Sequence, residues 1–219
     1  MGQEINLLNS QPRTVRDYDK RAREKTDEDR RIAKQFGLEF FDGPRSQGYG
    51  GYHYDGRWQS VVRRMKEHYK LADDAAILDV GCAKGFLLND FKDLMPQCIV
   101  AGVDVSAYAI EHGMLSVKSY LRIASVEKLP YPDKSFDLVI SINSIHNLPL
   151  EACKQALREI QRVSRSNSYV TVDAWRNEQE RQNLLKWILT AETYMHVDDW
   201  KKLFEEVGYT GDYHWFIAD

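Results

Sequence analysis

The stretch Ile77-Leu78-Asp79-Val80-Gly81-Cys82-Ala83-Lys84-Gly85 decides the fold of this chain. Its apolar positions lead into a turn bounded by two glycines, and an amphipathic segment follows at once from Phe86 to Met95. This order predicts a buried parallel strand, a tight turn and a helix. Because Gly81 and Gly85 carry no Cβ, the backbone can bend sharply there and come close to a ligand.

An acidic residue follows this turn at a distance that is typical of nucleotide-type sites. Asp104 closes a second predicted strand, Ile99–Val105, 23 positions after Gly81. A carboxylate about 20 positions after a glycine turn binds ribose hydroxyls in such sites. The turn and the acid together predict a nucleoside-containing cofactor. An NAD site of the dehydrogenase type would need Gly-x-Gly-x-x-Gly, and the spacing of Gly81 and Gly85 disfavours it.

Strand-like and helix-like segments alternate from about Ala75 onward. This alternation predicts an α/β fold, a Rossmann-like doubly wound, mostly parallel sheet with helices on both faces, over residues 75–219. In such a fold the ligand lies at the carboxyl ends of the strands, where the strand order reverses. The expected strands are Ala76–Val80, Ile99–Val105, Tyr120–Val126, Phe136–Ile142, Tyr169–Trp175 and Asp212–Ala218. The expected helices are Phe86–Met95, Ala107–Lys118, Leu150–Ser164, Glu178–Glu192 and Val197–Val207, with Ser106 as an N-cap and Gly208 as a C-terminal stop.

Residues 1–74 do not follow this alternation and are expected to form an N-terminal helical and loop cap. A charged helix near Arg13–Gln35 and a second helix near Arg57–Leu71 flank a loop, Phe40–Trp58, that is rich in glycine, aromatic residues and arginine. Two interpretations of this loop stay open. Its tyrosines either pack ordinarily or belong to a lid that closes over the strand ends.

Composition limits the class of protein. The chain has 219 residues and a formal net charge of −3, and no apolar run approaches the length of a membrane span. Its first residues lack the layout of a signal peptide, and its three cysteines show no paired spacing, so we expect a cytoplasmic protein without a membrane partner. The N-terminal charges are of both signs, which disfavours a nucleic-acid-binding arm. A homodimer stays open.

The ordered set of motifs resembles the class I S-adenosylmethionine-dependent methyltransferases, of the small-molecule type, over roughly Ala75 to Gly208. The resemblance rests on the Leu78–Gly85 turn, on Asp104, and on the segment Glu127-Lys128-Leu129-Pro130-Tyr131-Pro132-Asp133-Lys134-Ser135-Phe136-Asp137. The tail from Asp199 to Tyr209 also resembles the last helix of the family. The resemblance implies S-adenosyl-L-methionine as cofactor.

The resemblance also implies a set of cofactor-binding residues, among which Asp104 accepts hydrogen bonds from the ribose hydroxyls. The set is Asp79, Gly81, Cys82, Ala83, Gly85, Asp104, Val105, Ser125, Val126, Glu127 and Asn143. Ala83 replaces a frequent glycine and is expected to keep a negative φ, and Ser125 replaces a frequent aspartate that reaches the adenine. Only about ten residues follow Gly208, which leaves open whether the family's final antiparallel strand is present.

Methyl transfer needs an aligned nucleophile and, for some acceptors, a base. His146 follows the fourth predicted strand and is either that base or a locally packed residue; His53 in the loop is a second candidate base. Arg45 and Arg57 are candidate anion contacts, for the substrate or for the carboxylate of the cofactor. Tyr49, Tyr52, Tyr54 and Trp58 are expected to line the substrate pocket, and no residues show metal-ligand spacing.

The predicted function is metal-independent methyl transfer to an O or N atom of a small, anionic or sugar-type metabolite. Two alternatives stay open: a protein or nucleic-acid methyltransferase, or a family member that binds the cofactor without transferring methyl. Nucleic acid is disfavoured as a substrate, because the sequence after the fourth strand reads Asn143-Ser144-Ile145-His146 rather than Asn-Pro-Pro-Tyr and the chain is acidic.

Overall fold

The computed structural model describes residues 2–10 and 16–219, and its centre is a parallel sheet. The described strands are β1 Ala76–Val80, β2 Ile99–Asp104, β3 Leu121–Ile123, β4 Phe136–Ile142, β5 Ser164–Trp175, β6 Met195–His196 and β7 Asp212–Ile217. Their order is β3-β2-β1-β4-β5-β6, and β7 pairs with β5. Every pairing among these strands is parallel. The order reverses between β1 and β4, so the predicted doubly wound α/β fold is confirmed.

Helices cover both faces of the sheet. They are α1 Tyr18–Glu24, α2 Asp27–Ala33, α3 Leu38–Phe41, α4 Gln59–Tyr69, α5 Phe86–Leu94, α6 Ala107–Glu111, α7 Leu150–Val163, α8 Glu178–Trp187 and α9 Val197–Val207. Ser106 accepts a hydrogen bond from Ala109 N–H as the N-cap of α6, and Gly208 ends α9 with φ +70°. Both predicted helix signals are therefore confirmed.

The alternation of side chains along each strand divides the core into two layers. Leu78, Val80 and Val139 pack on one face of the sheet with the apolar sides of α7 and α9. Ile77 and Leu138 point to the opposite face, where they pack with α4 and α5. Successive residues of a strand project to opposite faces, and both faces are covered here, which explains why β1 and β4 are apolar at nearly every position.

The C-terminal edge of the sheet is formed by parallel strands in the described part of the chain. β7 runs parallel to β5, and no antiparallel strand occurs among residues 2–10 and 16–219. The chain's own N-terminal segment lies along β7 instead. Ile5 N–H donates to the Tyr213 carbonyl at 2.9 Å, and Tyr213 N–H donates to the Gln3 carbonyl at 3.1 Å. The N-terminal segment therefore pairs some of the backbone N–H and C=O groups that would otherwise be unpaired along the edge of β7.

Several predicted elements are shorter in the structure. The helix expected over Arg13–Gln35 is divided into α1 and α2, because Thr26 begins a new helix with a capping box to Asp29; residues 13–15 of that prediction lie outside the described residues. The third strand covers only Leu121–Ile123, since Val126 belongs to a 3₁₀ turn. The helices predicted from Ala107 and Glu178 end at Glu111 and Trp187.

Candidate functional site

The glycine turn after β1 has a backbone that only small residues allow. Gly81 and Gly85 have φ values of +81° and +78°. A Cβ at Gly81 would lie 2.1 Å from Ser144 Oγ, so the close approach of the β1 and β4 loops requires glycine at this position. Ala83 also has a positive φ, +48°, and the expectation of a negative value there is wrong. Its N–H donates to Asp104 Oδ2 at 2.8 Å, which holds this strained conformation.

Asp104 joins the end of β2 to the glycine turn. Its second carboxylate oxygen, Oδ1, accepts from Ser106 N–H at 2.8 Å. Burial raises the pKa of Asp104, and the backbone N–H groups that it accepts from lower it in part. Each carboxylate oxygen keeps a free lone pair after these bonds, so the group can still accept hydrogen bonds from a ligand.

A cavity of about 480 Å³ lies at the carboxyl ends of the strands. Six of the predicted cofactor-binding residues line it: Gly81, Ala83, Asp104, Val105, Val126 and Asn143. The cavity thus joins the loops that follow β1, β2, β3 and β4, as the parallel topology predicted. Its size lies within the range that is common for small-molecule sites.

The other five predicted cofactor-binding residues do not line the cavity. Asp79 and Cys82 are buried, and burial together with the charge of Asp104 raises the pKa of Asp79 to about 7. Gly85 is the N-cap of α5, where a Cβ would meet Val117 and Leu121. Ser125 and Glu127 are exposed, and Glu127 N–H donates a hydrogen bond to Ser125 Oγ at 3.2 Å. These residues shape or surround the turn and do not face the cavity.

Residues 40–58 form part of the cavity wall and are called the lid below, after the role that the sequence suggested for them. Arg45, Tyr49 and Arg57 line the cavity, as do Phe40 and Phe41. The structure does not bring the other predicted lid residues there. Tyr52 stacks on Phe86 of α5 with ring centroids 4.8 Å apart, Tyr54 donates to Asp90 Oδ1 at 2.5 Å, Trp58 packs against the core, and His53 is exposed. His53 therefore lies away from the place where a base is needed.

A buried ion pair anchors the lid to the glycine turn. Lys84 Nζ lies 2.7 Å from Asp42 Oδ2 and 2.8 Å from Oδ1, and it also donates to the Tyr52 carbonyl. Tyr108 donates to Asp42 Oδ2 at 2.6 Å. Burial alone would raise the pKa of Asp42, but these hydrogen bonds outweigh it and lower the pKa to about 2. Asp42 therefore joins the lid, the turn and α6 through one carboxylate.

His146 is buried at the wall of the cavity beside Asp173. Its Nδ1 accepts a hydrogen bond from Asp173 N–H at 3.1 Å, and its Nε2 lies 3.7 Å from Asp173 Oδ2. Burial lowers the pKa of His146, partly offset by the Asp173 charge. The imidazole is therefore neutral, with its proton on Nε2 facing the carboxylate. Nδ1 is already occupied by a backbone donor, so neither ring nitrogen offers a free lone pair to a substrate.

The sequence did not predict Asp173 as a site residue, nor Arg21 in α1 and Arg16 just before it. Asp173 lies in β5, and burial raises its pKa while His146 and Arg16 lower it in part. A carboxylate in an otherwise buried apolar strand was the signal that could have identified it. Arg16, Arg21 and Trp187 also line the cavity. The arginines belong to a segment of mixed charge that gave no local sign of a site.

No three His, Cys, Asp or Glu side chains within residues 2–10 and 16–219 converge as a set able to hold a metal ion. No helix in the described part of the chain has the length and apolar character to cross a membrane.

The central part of the chain is similar to known methyltransferases. Residues 78–172 match the family model described as a methyltransferase domain. An uncharacterized protein of Haemophilus influenzae is 31% identical over 63% of this chain and 59% of its own length. The uncharacterized methyltransferase YcgJ of Bacillus subtilis is 29% identical over 47% of this chain and 42% of its own length. The crystal structure of YcgJ superposes with a TM-score of 0.52 at 18% identity, covering 67% of this chain and 66% of that one. The chain thus spans about half the length of these two curated relatives.

Proposed function

We propose that this chain is a class I S-adenosylmethionine-dependent methyltransferase, which the match of residues 78–172 to a methyltransferase domain supports, and that it transfers a methyl group to an O or N atom of a small molecule. The observation that carries the proposal is that one cavity joins the glycine turn and Asp104 to the buried His146–Asp173 pair. A nucleoside-binding edge and a proton acceptor therefore face the same space. Aromatic residues of the lid line the same cavity.

The residues at the β1 and β2 ends fit the cofactor of this family. Asp104 has spare acceptor capacity for the two ribose hydroxyls, and Val105, Ala124 and Val126 offer apolar surface for an adenine ring. Phe40 and Tyr49 of the lid present aromatic faces, which attract a sulfonium cation. S-adenosylmethionine, when bound, supplies a methyl carbon that its sulfonium has already activated.

We assign the role of general base to Asp173 rather than to His146. Nδ1 of His146 accepts from the backbone, and the proton on Nε2 points to the Asp173 carboxylate, so the imidazole orients that carboxylate. Burial raises the pKa of Asp173, which makes it a stronger base than an exposed aspartate. Asp173 would take the proton that an acceptor hydroxyl or amine loses as its new bond to carbon forms. No metal is needed for these steps.

A transfer assay with methyl-labelled S-adenosylmethionine tests the proposal. The protein is incubated with fractionated metabolite pools and, separately, with protein and RNA fractions. We expect label in a small-molecule product with the wild-type protein, and its loss with Asp173→Asn although S-adenosylhomocysteine still binds. Label in a macromolecular fraction alone would support a protein or nucleic-acid methyltransferase instead. Tight cofactor binding without label in any fraction would favour a member of the family that does not transfer methyl.

A further inference from the structure

Three guanidinium groups of the cavity converge on one tryptophan. The Cζ atoms of Arg16, Arg21 and Arg45 lie 5.3, 5.9 and 5.7 Å from the centroid of the Trp187 ring. Arg16 also lies 4.7 Å from the centroid of Phe216 in β7. All five side chains line the cavity. The aromatic surfaces hold the guanidinium groups by their faces, which leaves the N–H edges available for hydrogen bonding.

These three arginines lack a carboxylate in direct contact within the described part of the chain. None of them forms an ion pair there, whereas Arg57, on the same cavity, is bound to Asp55 at 2.6 Å. Arg16 makes no hydrogen bond to the described residues. Arg21 and Arg45 each donate only through Nη1, to the Arg45 carbonyl and to the Gly48 carbonyl. Several N–H groups of the cluster are therefore free for a ligand.

Arg21 has a buried donor atom that nothing in the described structure pairs with. The residue is 8% exposed, and its Nε makes no hydrogen bond within the described structure. Leaving a buried donor of a charged group unpaired is unfavourable, so proteins rarely keep one without a function. Lys25 is also buried beside the cluster and donates to the Ile188 carbonyl. Burial, and to a smaller extent the charges of Arg30 and Arg21, lower its pKa to about 7.

The position of the cluster separates it from the cofactor edge. Gly81 follows β1 and Asp104 is the last residue of β2, whereas Phe216 belongs to β7, three strands from β1 through β4 and β5. Three inter-strand steps are roughly 14 Å. The cluster therefore lies toward the other end of the cavity, on the side of Asp173, whose ionised form Arg16 favours. A group bound there would belong to the methyl acceptor rather than to the cofactor.

We propose that Arg16, Arg21 and Arg45, supported by Trp187, form a subsite for a doubly charged oxyanion of the methyl acceptor, such as a phosphate ester. This proposal rests on the proposed function and names the substrate class of the same site. A dianion balances more of the charge of three unpaired guanidinium groups than a single carboxylate does. The tetrahedral oxygens of a phosphate can accept from several N–H edges at once. The acceptor would then be held by its phosphate while its O or N atom reaches Asp173.

Calorimetric titration with inorganic phosphate tests this subsite without knowledge of the acceptor. The protein is first saturated with S-adenosylhomocysteine, and phosphate or acetate is titrated at pH 7.5 and constant ionic strength. We expect phosphate to bind, acetate to bind much more weakly, and Arg16→Gln and Arg45→Gln each to weaken phosphate binding about ten-fold. Arg21→Gln should weaken phosphate binding as well. If that variant does not fold, Arg21→Lys keeps the positive charge and should still weaken phosphate binding.

Arg181→Gln is the matched control. Arg181 also stacks on a tryptophan, Trp175, at 5.9 Å, but it does not line the cavity, so phosphate affinity should not change. Absence of phosphate binding, or equal binding in the Arg16 and Arg45 variants, would overturn the subsite. Competition between phosphate and S-adenosylhomocysteine would overturn it too, since the cluster would then hold the carboxylate of the cofactor. Failure of methyl transfer in the labelled assay would leave these binding results unaffected, so the two proposals fail separately.

Discussion

Lys84 of the glycine turn and Asp42 of the lid form a buried ion pair, with Nζ 2.7 Å from Oδ2. The same short stretch that bends around the proposed cofactor site is therefore fixed to the lid. Because Tyr108 donates to Asp42 as well, movement of the lid away from the turn would break several hydrogen bonds to one carboxylate. The lid is held in place even without a ligand.

Replacement of Asp42 by asparagine should destabilise the protein. The change leaves the buried ammonium group of Lys84 without its counter-ion, and breaking such a pair costs about 3 kcal/mol of unfolding free energy. Tyr108→Phe removes only one hydrogen bond to the same carboxylate and should cost about 1 kcal/mol. Urea denaturation measures both. Equal and small losses would show that the ion pair does not hold the lid.

The Asp42 pair should also make stability depend on pH. The pKa of Asp42 is lowered to about 2 from an ordinary value of 3.8, so the pair stabilises the fold fully above pH 4. This contribution, about 2 kcal/mol, is lost as pH falls from 4 to 2. Denaturation of the wild type and Asp42→Asn across this range gives the difference. A gap between the two proteins that does not narrow toward pH 2 would contradict the assignment.

Gly81→Ala should be strongly destabilising. The new Cβ would lie 2.1 Å from Ser144 Oγ at a φ of +81°, and we expect a loss of about 2 to 3 kcal/mol. Adding Ser144→Gly removes the clash but not the unfavourable φ, which keeps roughly 1 kcal/mol of the loss. The single Ser144→Gly variant completes a double-mutant cycle. Simple additivity of the two changes would show that the residues do not meet.

Asp104→Ala should weaken binding of S-adenosylmethionine by about 100-fold, because hydrogen bonds to a charged acceptor are lost. The Ala83 N–H that Asp104 now accepts from would also lose its partner, so the turn should be less well ordered. Calorimetric titration measures the affinity. Glu127→Gln is the control, since Glu127 is exposed and does not line the cavity, and it should bind within about two-fold of the wild type.

Asp173→Asn should reduce kcat by about 100-fold or more while cofactor affinity is kept. In the wild type, activity should fall as pH decreases through the pKa of Asp173, because the protonated carboxyl cannot act as a base. Burial raises this pKa, so the acidic limb should lie above the ordinary value of 3.8. His146→Asn removes the group that orients the carboxylate and should lower kcat less. Wild-type turnover in Asp173→Asn would exclude it as the base.

The parts of the fold encoded in short stretches could be predicted from the sequence. The bounds of β1 and β4 agree with the apolar runs, because both strands are buried on two faces and need apolar residues throughout. The turn at Gly81 was predicted from its glycines, and the position of Asp104 on the cavity was predicted from its spacing after that turn. The sequence also contained a signal for the division of the first predicted helix, because Thr26 precedes Asp29 by the three positions that a capping box requires.

What could not be predicted depends on contacts between distant parts of the chain. Ala83 has a positive φ because Asp104, 21 residues later, accepts its N–H. His146 is prevented from acting as a base by the backbone of Asp173, 27 residues away. The arginine cluster on Trp187 joins α1, the lid and α8, which no local pattern connects. In each case the sequence showed which residue type was present, but it did not show which distant residue would contact it.

The bonding of the N-terminal segment to β7 has a consequence for the order in which the protein can fold. Gln3 N–H donates to Asp212 Oδ1 across 209 residues of sequence. The ribosome makes this segment before it makes β7, and 209 positions separate the two bonded residues. This edge of the sheet can therefore close only after β7 has been synthesised, and such long-range contacts slow folding. Until then the N-terminal segment has no partner strand.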